Sequence, residues 1–481
     1  MDIKPVVIAA ITVAFSFTMN GQTSGELTFE NENLTLDDCL SIALNNSPTI
    51  KVADMEVERV DYSKKEVIGQ LLPTIDFGGQ YSRTIAKQTM YMNMDGFGDF
   101  GGFGGGGGED TGDEGVSTQA ASKSDGGIKV GLDNSYSVGF QASLPLVAPQ
   151  LWTSLSLSNT QIMRNVEAAK QSRQQLVNQV KSAYYSLLLA HDSKTVIQES
   201  YDMAALTHDI YTKQHKLGAA SDYDVLRTSV AMKNIEPQLT QADIAIKRAA
   251  LNLAILMGID TKYDIKIAGK LADYETNMYA DALQASNKDY SNNADLKLLD
   301  IDTDMLKKSL KIQKFAYIPT LALTANYNWT SMNNGTPFKN LRWNPYSAIG
   351  VSLSVPIFSG GQRYHKVKQA QIQVEEMKWQ RENLERSIAM QVDLAVDNIK
   401  MNVEQIASSA ESVHQAETAH NIMEKSFKIG SASYLNLRDS ELALTNARLA
   451  YFQAIYNYLI AQSELELLQG NAPIEKYSQS K

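Results

Sequence analysis

The chain has 481 residues, 43% of them hydrophobic and 20% charged, with a net charge of −10, a length that corresponds to about three soluble domains of ordinary size. Beyond the N-terminus no run of about 20 apolar residues occurs, which excludes a bundle of membrane-spanning helices. The single cysteine, Cys39, excludes a disulfide framework and a Cys-rich zinc site, and the acidic balance argues against a nucleic-acid partner.

The first 21 residues read as a secretory signal peptide: Lys4, an apolar run from Pro5 to Phe17, and a small-residue exit before Gln22. No cysteine stands there to carry a lipid. Cys39 follows in an amphipathic helical segment, where it reads as a small packed side chain. The next helix is predicted from Thr49 to Leu72, ended by Pro73. A strand follows in which Ile75, Phe77 and Tyr81 alternate with polar residues and glycine. Its partner is cleaner: Tyr136, Val138, Phe140, Ala142 and Leu144 face one way, Ser and Gly the other, with Gln141 among them, until Pro145. Between the two lies an insertion, 91–131, that holds 14 of the 29 glycines. From Tyr91 to Val130 it carries seven acidic residues and two lysines. From Trp152 to Leu217 there is neither Pro nor Gly, room for a helix of about 100 Å. After Gly218 the chain turns and returns as a second helix to about Met257, with a kink expected at Pro237.

The same order then repeats. Leu71-Leu72-Pro73-Thr74-Ile75 recurs as Tyr317-Ile318-Pro319-Thr320-Leu321, and Gly139, Ser143 and Pro145 recur as Gly350, Ser354 and Pro356. Lys216-Leu217-Gly218-Ala219-Ala220-Ser221 recurs as Lys428-Ile429-Gly430-Ser431-Ala432-Ser433. The chain is therefore divided into the leader 1–21, a first repeat 22–265 with the 91–131 insertion, a second repeat 266–470 and a tail 471–481. In the second repeat the strands are Leu321 to Trp329 and Ile349 to Val355, and the long helix runs from Gln362 to Ile429. Apolar and small residues recur every seven positions in both long helices (Leu176, Ala183, Ala190; Val392, Ile399, Ile406), a seam for helix-on-helix packing.

Four strands of about ten residues have the length to cross a membrane as tilted β-structure. They fit a small soluble sheet equally well; helices of this length, which so small a sheet cannot cover, favour the membrane. A sheet in lipid must close on itself. Two chains give eight strands with a filled interior, and three give twelve with a lumen, so a channel requires at least a trimer. The polar alternate positions would line the lumen.

The duplicated plan, the opening Leu34-Thr35-Leu36-Asp37-Asp38-Cys39-Leu40 with Ala43-Leu44-Asn45-Asn46-Ser47-Pro48, and the two Gly-x-x-Ser turns resemble the TolC-type outer membrane efflux proteins over about Leu34 to Gly470. The resemblance implies an α+β membrane protein: a homotrimer with a 12-stranded outer-membrane β-barrel continued by a periplasmic α-helical barrel. It also implies a passive exit duct, not an enzyme, that works with a periplasmic adaptor and an inner-membrane pump and touches outer-membrane lipid. Neither a cofactor nor a metal is implied. The alternative is a periplasmic adaptor or structural protein built of long helical hairpins.

By that resemblance the gate falls at the helix turns. Asp439 becomes the candidate for a constricting acidic ring, with Asp224 among the gating contacts and Asn436 where the family often has a second aspartate. Gly218, Ser221, Leu226, Gly430, Ser433 and Leu437 form the turn tips and adaptor-docking positions. On the residues alone, the two aspartates and Asn436 read as solvated helix-start groups, the carboxylates favourable to the dipole. His208 and His420 each precede their turn glycine by ten residues; they are either ordinary helix-surface histidines or a pH-responsive tier. Gly96-Phe97-Gly98-Asp99-Phe100-Gly101 has the spacing of a dinucleotide fingerprint but neither directly follows a strand nor opens a helix, so no such site is expected. With the helices on the periplasmic side, the 91–131 insertion would face outward.

Overall fold

The computed structural model describes residues 33–90, 128–260, 262, 265–275, 278 and 288–474. The leader, nearly all of the 91–131 insertion and most of the 471–481 tail lie outside the described residues. The chain forms two compact units, 1–47 with 179–279 and 404–460, and 48–178 with 280–403 and 461–481. Both units draw residues from both halves of the chain, because the long helices α3 (Pro149–Lys216), α7 (Gln362–Lys428) and α8 (Tyr434–Gln469) each contribute to both.

One unit holds the sheet. Helix α2 (Pro48–Gly69) leads into β1 (Thr74–Arg83) and a short hairpin of β2 (Gln88–Met90) with β3 (Ile128–Val130). Strand β4 (Asn134–Val147) follows; after helix α6 (Ala294–Phe315) come β5 (Thr320–Asn333) and β6 (Asn344–Ser354). The sheet order is β1-β4-β5-β6, antiparallel throughout. Several boundaries differ from the sequence reading, β5 running on to Asn333 and β6 starting at Asn344 among them. Helix α2 ends at Gly69, and Leu71 and Leu72 donate to Ile68 and Gly69 in a tighter final turn. Strand β4 runs past Pro145 to Val147, because a bulge between these residues absorbs the missing proline N–H.

The short helices of this unit are held to the long ones by polar contacts. Arg164 of α3 meets Asp302 of α6 at 2.5 Å, Arg381 of α7 meets Asp300 of α6 at 2.5 Å, and Arg173 of α3 meets Asp54 of α2 at 2.5 Å. Buried Gln174 donates to the Gly470 carbonyl at 2.9 Å, and Asn293, which caps α6, donates to the Leu468 carbonyl at 2.8 Å.

The other unit begins with α1 (Leu36–Asn46), which starts in a reciprocal cap: the Thr35 hydroxyl accepts from the Asp38 N–H while Asp38 accepts from the Thr35 N–H. Cys39 and Leu40 are fully buried with Tyr184, Leu187, Leu253, Met257 and Leu271 as this unit's core. Burial pushes the Cys39 thiol up to about 12, so it is an inert packed side chain, as its position suggested. Tyr184 donates to the Ala268 carbonyl at 2.5 Å, and Tyr458 to the Met278 carbonyl at 3.0 Å, pinning Ala268 onto α3 and Met278 onto α8. Helices α4 (Asp222–Lys233) and α5 (Glu236–Met257) form the first return arm. They break where Pro237 was expected to act: its ring would collide with the carbonyl four residues back, and α4 ends at that residue, Lys233. Helix α8 has no proline there and runs 36 residues without interruption.

Candidate functional site

The sheet has two chemically distinct faces. Pairing aligns Ile75, Ala142, Ala325 and Ile349 across all four strands, followed by Phe77, Phe140, Tyr327 and Ser347. The intervening rows are Thr74, Ser143, Thr324 and Gly350, then Asp76, Gln141, Asn326 and Ala348. One-residue alternation thus separates a mainly apolar face from a mainly polar one, with Ser347 and Ala348 of β6 as exceptions in these rows. The apolar face is uncovered in the protomer: Ile75 is 71% exposed and Ile349 80%. Such a face is costly in water, at about 25 cal/mol per Å², and suits lipid. Phe140, Tyr327 and Trp329 form an aromatic band on it, with Tyr327 and Trp329 ring centres 4.6 Å apart. On the polar side Gly139 is obligatory, since a Cβ would stand 2.0 Å from Asn328 Oδ1 and 2.5 Å from the Tyr327 carbonyl. Strands β1 and β6 each have one neighbour, so the sheet ends in two edges whose outer backbone groups need partners.

The ends of the sheet strands that lead into the loops carry a second ordered cluster. Tyr81 and Tyr136 stack at 5.0 Å, and Phe338 packs on both. The Phe338 N–H donates to the Tyr136 hydroxyl at 2.8 Å, and Asn134 donates to the Gly335 carbonyl at 3.1 Å while accepting from Tyr81 at 2.9 Å.

In the other unit the two helix reversals are built alike. Gly218 and Gly430 have φ of +75° and +77°, the left-handed geometry that ends a helix. Gly218 donates to the His215 carbonyl at 2.8 Å and Ala219 to Gln214 at 2.8 Å; Gly430 donates to Phe427 at 3.0 Å and Ser431 to Ser426 at 2.9 Å. Both pairs are the bonds of a Schellman stop. Ser221 then caps α4, with Asp224 accepting from the Ser221 hydroxyl at 2.6 Å; this bond holds the Asp224 carboxyl below the usual range. Ser433 caps α8 through the Asn436 N–H at 3.3 Å.

Of the residues singled out in the sequence, Asp224 is thus committed to its cap, while Asn436 and Asp439 are exposed near the start of α8. Leu226 is exposed, but Leu437 is only 4% exposed. As a docking position Leu437 is corrected: it lies one step round the helix from Arg438, the repeat counterpart of Leu226, and packs inward. His208 Nδ1 contacts the Thr228 hydroxyl at 3.0 Å and His420 Nδ1 the Ser440 hydroxyl at 3.4 Å, so each histidine ties the two arms of its own hairpin. The signal for this was in the sequence, a hydroxyl 20 residues after each histidine.

Other tip residues gave no sequence signal. Arg227 lies over the Tyr434 ring at 4.5 Å, and Tyr211 contacts Tyr434 and Phe427 at 5.7 and 6.2 Å. Arg448 bridges Glu199 at 2.6 Å and Glu417 at 2.7 Å. Glu441 is buried with Arg438 Nη1 at 3.7 Å, and burial raises its carboxyl above the usual range. Among the described residues there is no group of His, Cys, Asp and Glu able to hold a metal ion, and no helix long and apolar enough to cross a membrane.

The outer membrane efflux protein family model matches residues 39–259 and 286–471. The chain belongs to this family. It is 21% identical to the outer membrane protein TolC of Escherichia coli, over 70% of each chain. It is 22% identical to the alkaline protease secretion protein AprF of Pseudomonas aeruginosa, again over 70% of each. The CmeC outer membrane channel of Campylobacter jejuni superposes with a TM-score of 0.67 at 18% identity, covering 91% of this chain and 86% of CmeC. The fold is therefore that of the TolC-like outer membrane channels. The protein is an outer-membrane exit duct of a tripartite export system, in a family of transporters.

Proposed function

We propose that three copies of the chain close the four-stranded sheet into a 12-stranded barrel. The observation that carries this is the sheet itself: one exposed apolar face, one polar face, and two free edges. With four antiparallel strands per chain, β6 of one copy meets β1 of the next in antiparallel sense, so the closed ring keeps one pairing pattern. Three copies are the smallest number that leaves a lumen. The rows of Thr74, Asp76, Gln141, Asn326 and Thr324 then face water, and the rows of Ile75, Phe77, Phe140 and Ile349 face outer-membrane lipid.

The leader 1–21 directs export, the repeats 22–265 and 266–470 supply one strand pair and one long hairpin each, and the 91–131 insertion faces outside the cell. The hairpins form the periplasmic duct. Its turns gate it: Asp439 supplies an acidic ring, with Asn436 and Asp224 beside it, and the His208 and His420 tier lies behind. The adaptor docks on the turns around Gly218, Ser221, Gly430 and Ser433. Leu217 and Ile429, equivalent residues 84% and 80% exposed, together with Leu226, offer it an apolar surface, and the inner-membrane pump completes the assembly.

Conductance across a planar bilayer tests the gate. The purified protein should form pores that prefer cations, and Asp439→Asn should lower that preference while leaving the protein folded. Absence of conductance, or a selectivity unchanged by the substitution, would remove Asp439 from the gate.

A further inference from the structure

We infer that a cavity beside the first return arm binds a polyanion, a molecule or chain segment bearing several carboxylate or phosphate groups, through Lys247, Lys262, Lys266 and Lys270. The inference goes beyond the duct and does not depend on it. The cavity has a volume of about 810 Å³ and lies within one unit, between α3, α5 and the segment that follows α5, with Asn33 among its lining. Leu188, Ile246, Leu251 and Ile265 add apolar wall. The space suits a ligand of several linked groups better than a single small ion.

Charge decides what enters. Four of the lining side chains are lysines, in a chain whose net charge is −10. The two acids among the lining are already engaged. Asp243 pairs with Lys194 at 2.6 Å. Asp192 is 9% exposed and accepts from the Leu271 N–H at 3.0 Å, and burial raises its carboxyl above the usual range, with Lys270 near enough to oppose that rise. His191 adds no charge at neutral pH, since desolvation lowers its affinity for a proton. The lysines are less well partnered. Lys262 stands 3.8 Å from Asp260, beyond hydrogen-bond reach, and Lys247, Lys266 and Lys270 make no ion pair within 4.0 Å among the described residues. Even with Lys270 set against Asp192, three cations remain unanswered. A concave wall of one sign concentrates the opposite sign, and an ammonium meets carboxylate or phosphate as a point charge.

The site occurs once per chain. The offset that relates Gly218 to Gly430 also relates Gly258 to Gly470, and it carries Lys247, Lys262 and Lys266 to Leu459, Ile474 and Ser478. The cations are therefore no part of the duplicated plan. Two sources can supply the anion: a separate molecule, or this chain's own Glu26, Glu30 and Glu32, which stand shortly before Asn33 in the sequence and lie outside the described residues.

Inorganic triphosphate is the probe, titrated calorimetrically at about 0.05 M salt into the full-length protein in a non-ionic detergent, and into a variant carrying Glu26→Gln, Glu30→Gln and Glu32→Gln. Saturable binding at one site per chain is expected. Seen in both proteins it identifies a separate anion as the occupant; seen in the variant alone it identifies the chain's own carboxylates. In the protein that binds, Lys266→Gln with Lys270→Gln should weaken binding about tenfold, the size of two exposed charge pairs. Lys378→Gln with Lys428→Gln, two exposed lysines already paired with Glu375 and Glu424, should leave it within about twofold. Circular dichroism establishes that the variants are folded. No saturable binding in either protein, or a loss no larger for the Lys266 and Lys270 pair than for the control pair, would overturn the inference.

Discussion

The first hairpin returns through a helix broken between Lys233 and Glu236, and the second through the unbroken α8. Their reversals use the same glycine stop and the same serine cap, yet their next residues diverge. The first has Asp224 completing its cap, Leu226 exposed and Arg227 stacked on Tyr434. The second has Asn436, Arg438 and Asp439 in those places, with a buried acid one turn on. Duplication has thus kept the backbone device that any hairpin needs and changed the charges around it. The first hairpin presents a hinge with its arginine, Arg227, on a ring, the second a continuous arm with its arginine one place earlier, beside a buried acid.

The largest effect that would sharpen this contrast is at the repeat-equivalent pair Arg438 and Leu226. Arg438→Ala leaves Glu441 buried without its cation and should cost about 3 kcal/mol. Leu226→Ala, on the exposed surface, should stay within about 0.5 kcal/mol. Both are read from denaturant midpoints, and equal losses would break the comparison. Next come the caps. Ser221→Ala dismantles a reciprocal box and should cost about 1 kcal/mol, and Ser433→Ala, which loses a single bond, about half of that. Asn436→Asp would restore the box and recover a few tenths of a kcal/mol.

The smallest effect is on pH. Burial holds the folded His420 below its ordinary value of 6.5, so the unfolded chain takes up a proton first and stability falls as pH drops through 6.5. Glu441 acts in the opposite sense. Its folded carboxyl is raised above 4.5, so the folded chain binds the proton first and stability rises as pH falls toward 4.5. His420→Gln should flatten the loss between neutral pH and about 6 in a thermal-midpoint series, and an unchanged slope would remove His420 as its source.

Much of this was legible because it is local. A Pro- and Gly-free run dictates α3 and α7, period-two alternation dictates β1, β4, β5 and β6, and a glycine before a serine dictates each reversal. The break at Pro237 follows from a missing N–H and a steric clash. What the sequence hid depends on contacts between distant segments. The extension of β4 past Pro145 required a bulge against β5, and the inward turn of Leu437 required knowing which face of α8 is covered. Arg227 on Tyr434, Arg448 between Glu199 and Glu417, and the burial of Glu441 join helices far apart in the chain, and no periodicity announces them.

The central claim is that the free edges β1 and β6 meet between copies, three to a ring. With Cys39→Ser as background, Ala348→Cys on β6 can be paired in turn with Asp76→Cys, Gly78→Cys and Gln80→Cys on β1 and oxidised in outer-membrane preparations. The account predicts that at least one pair links chains into a ladder that stops at three. Monomers at every position, or a ladder that continues past three, would contradict it.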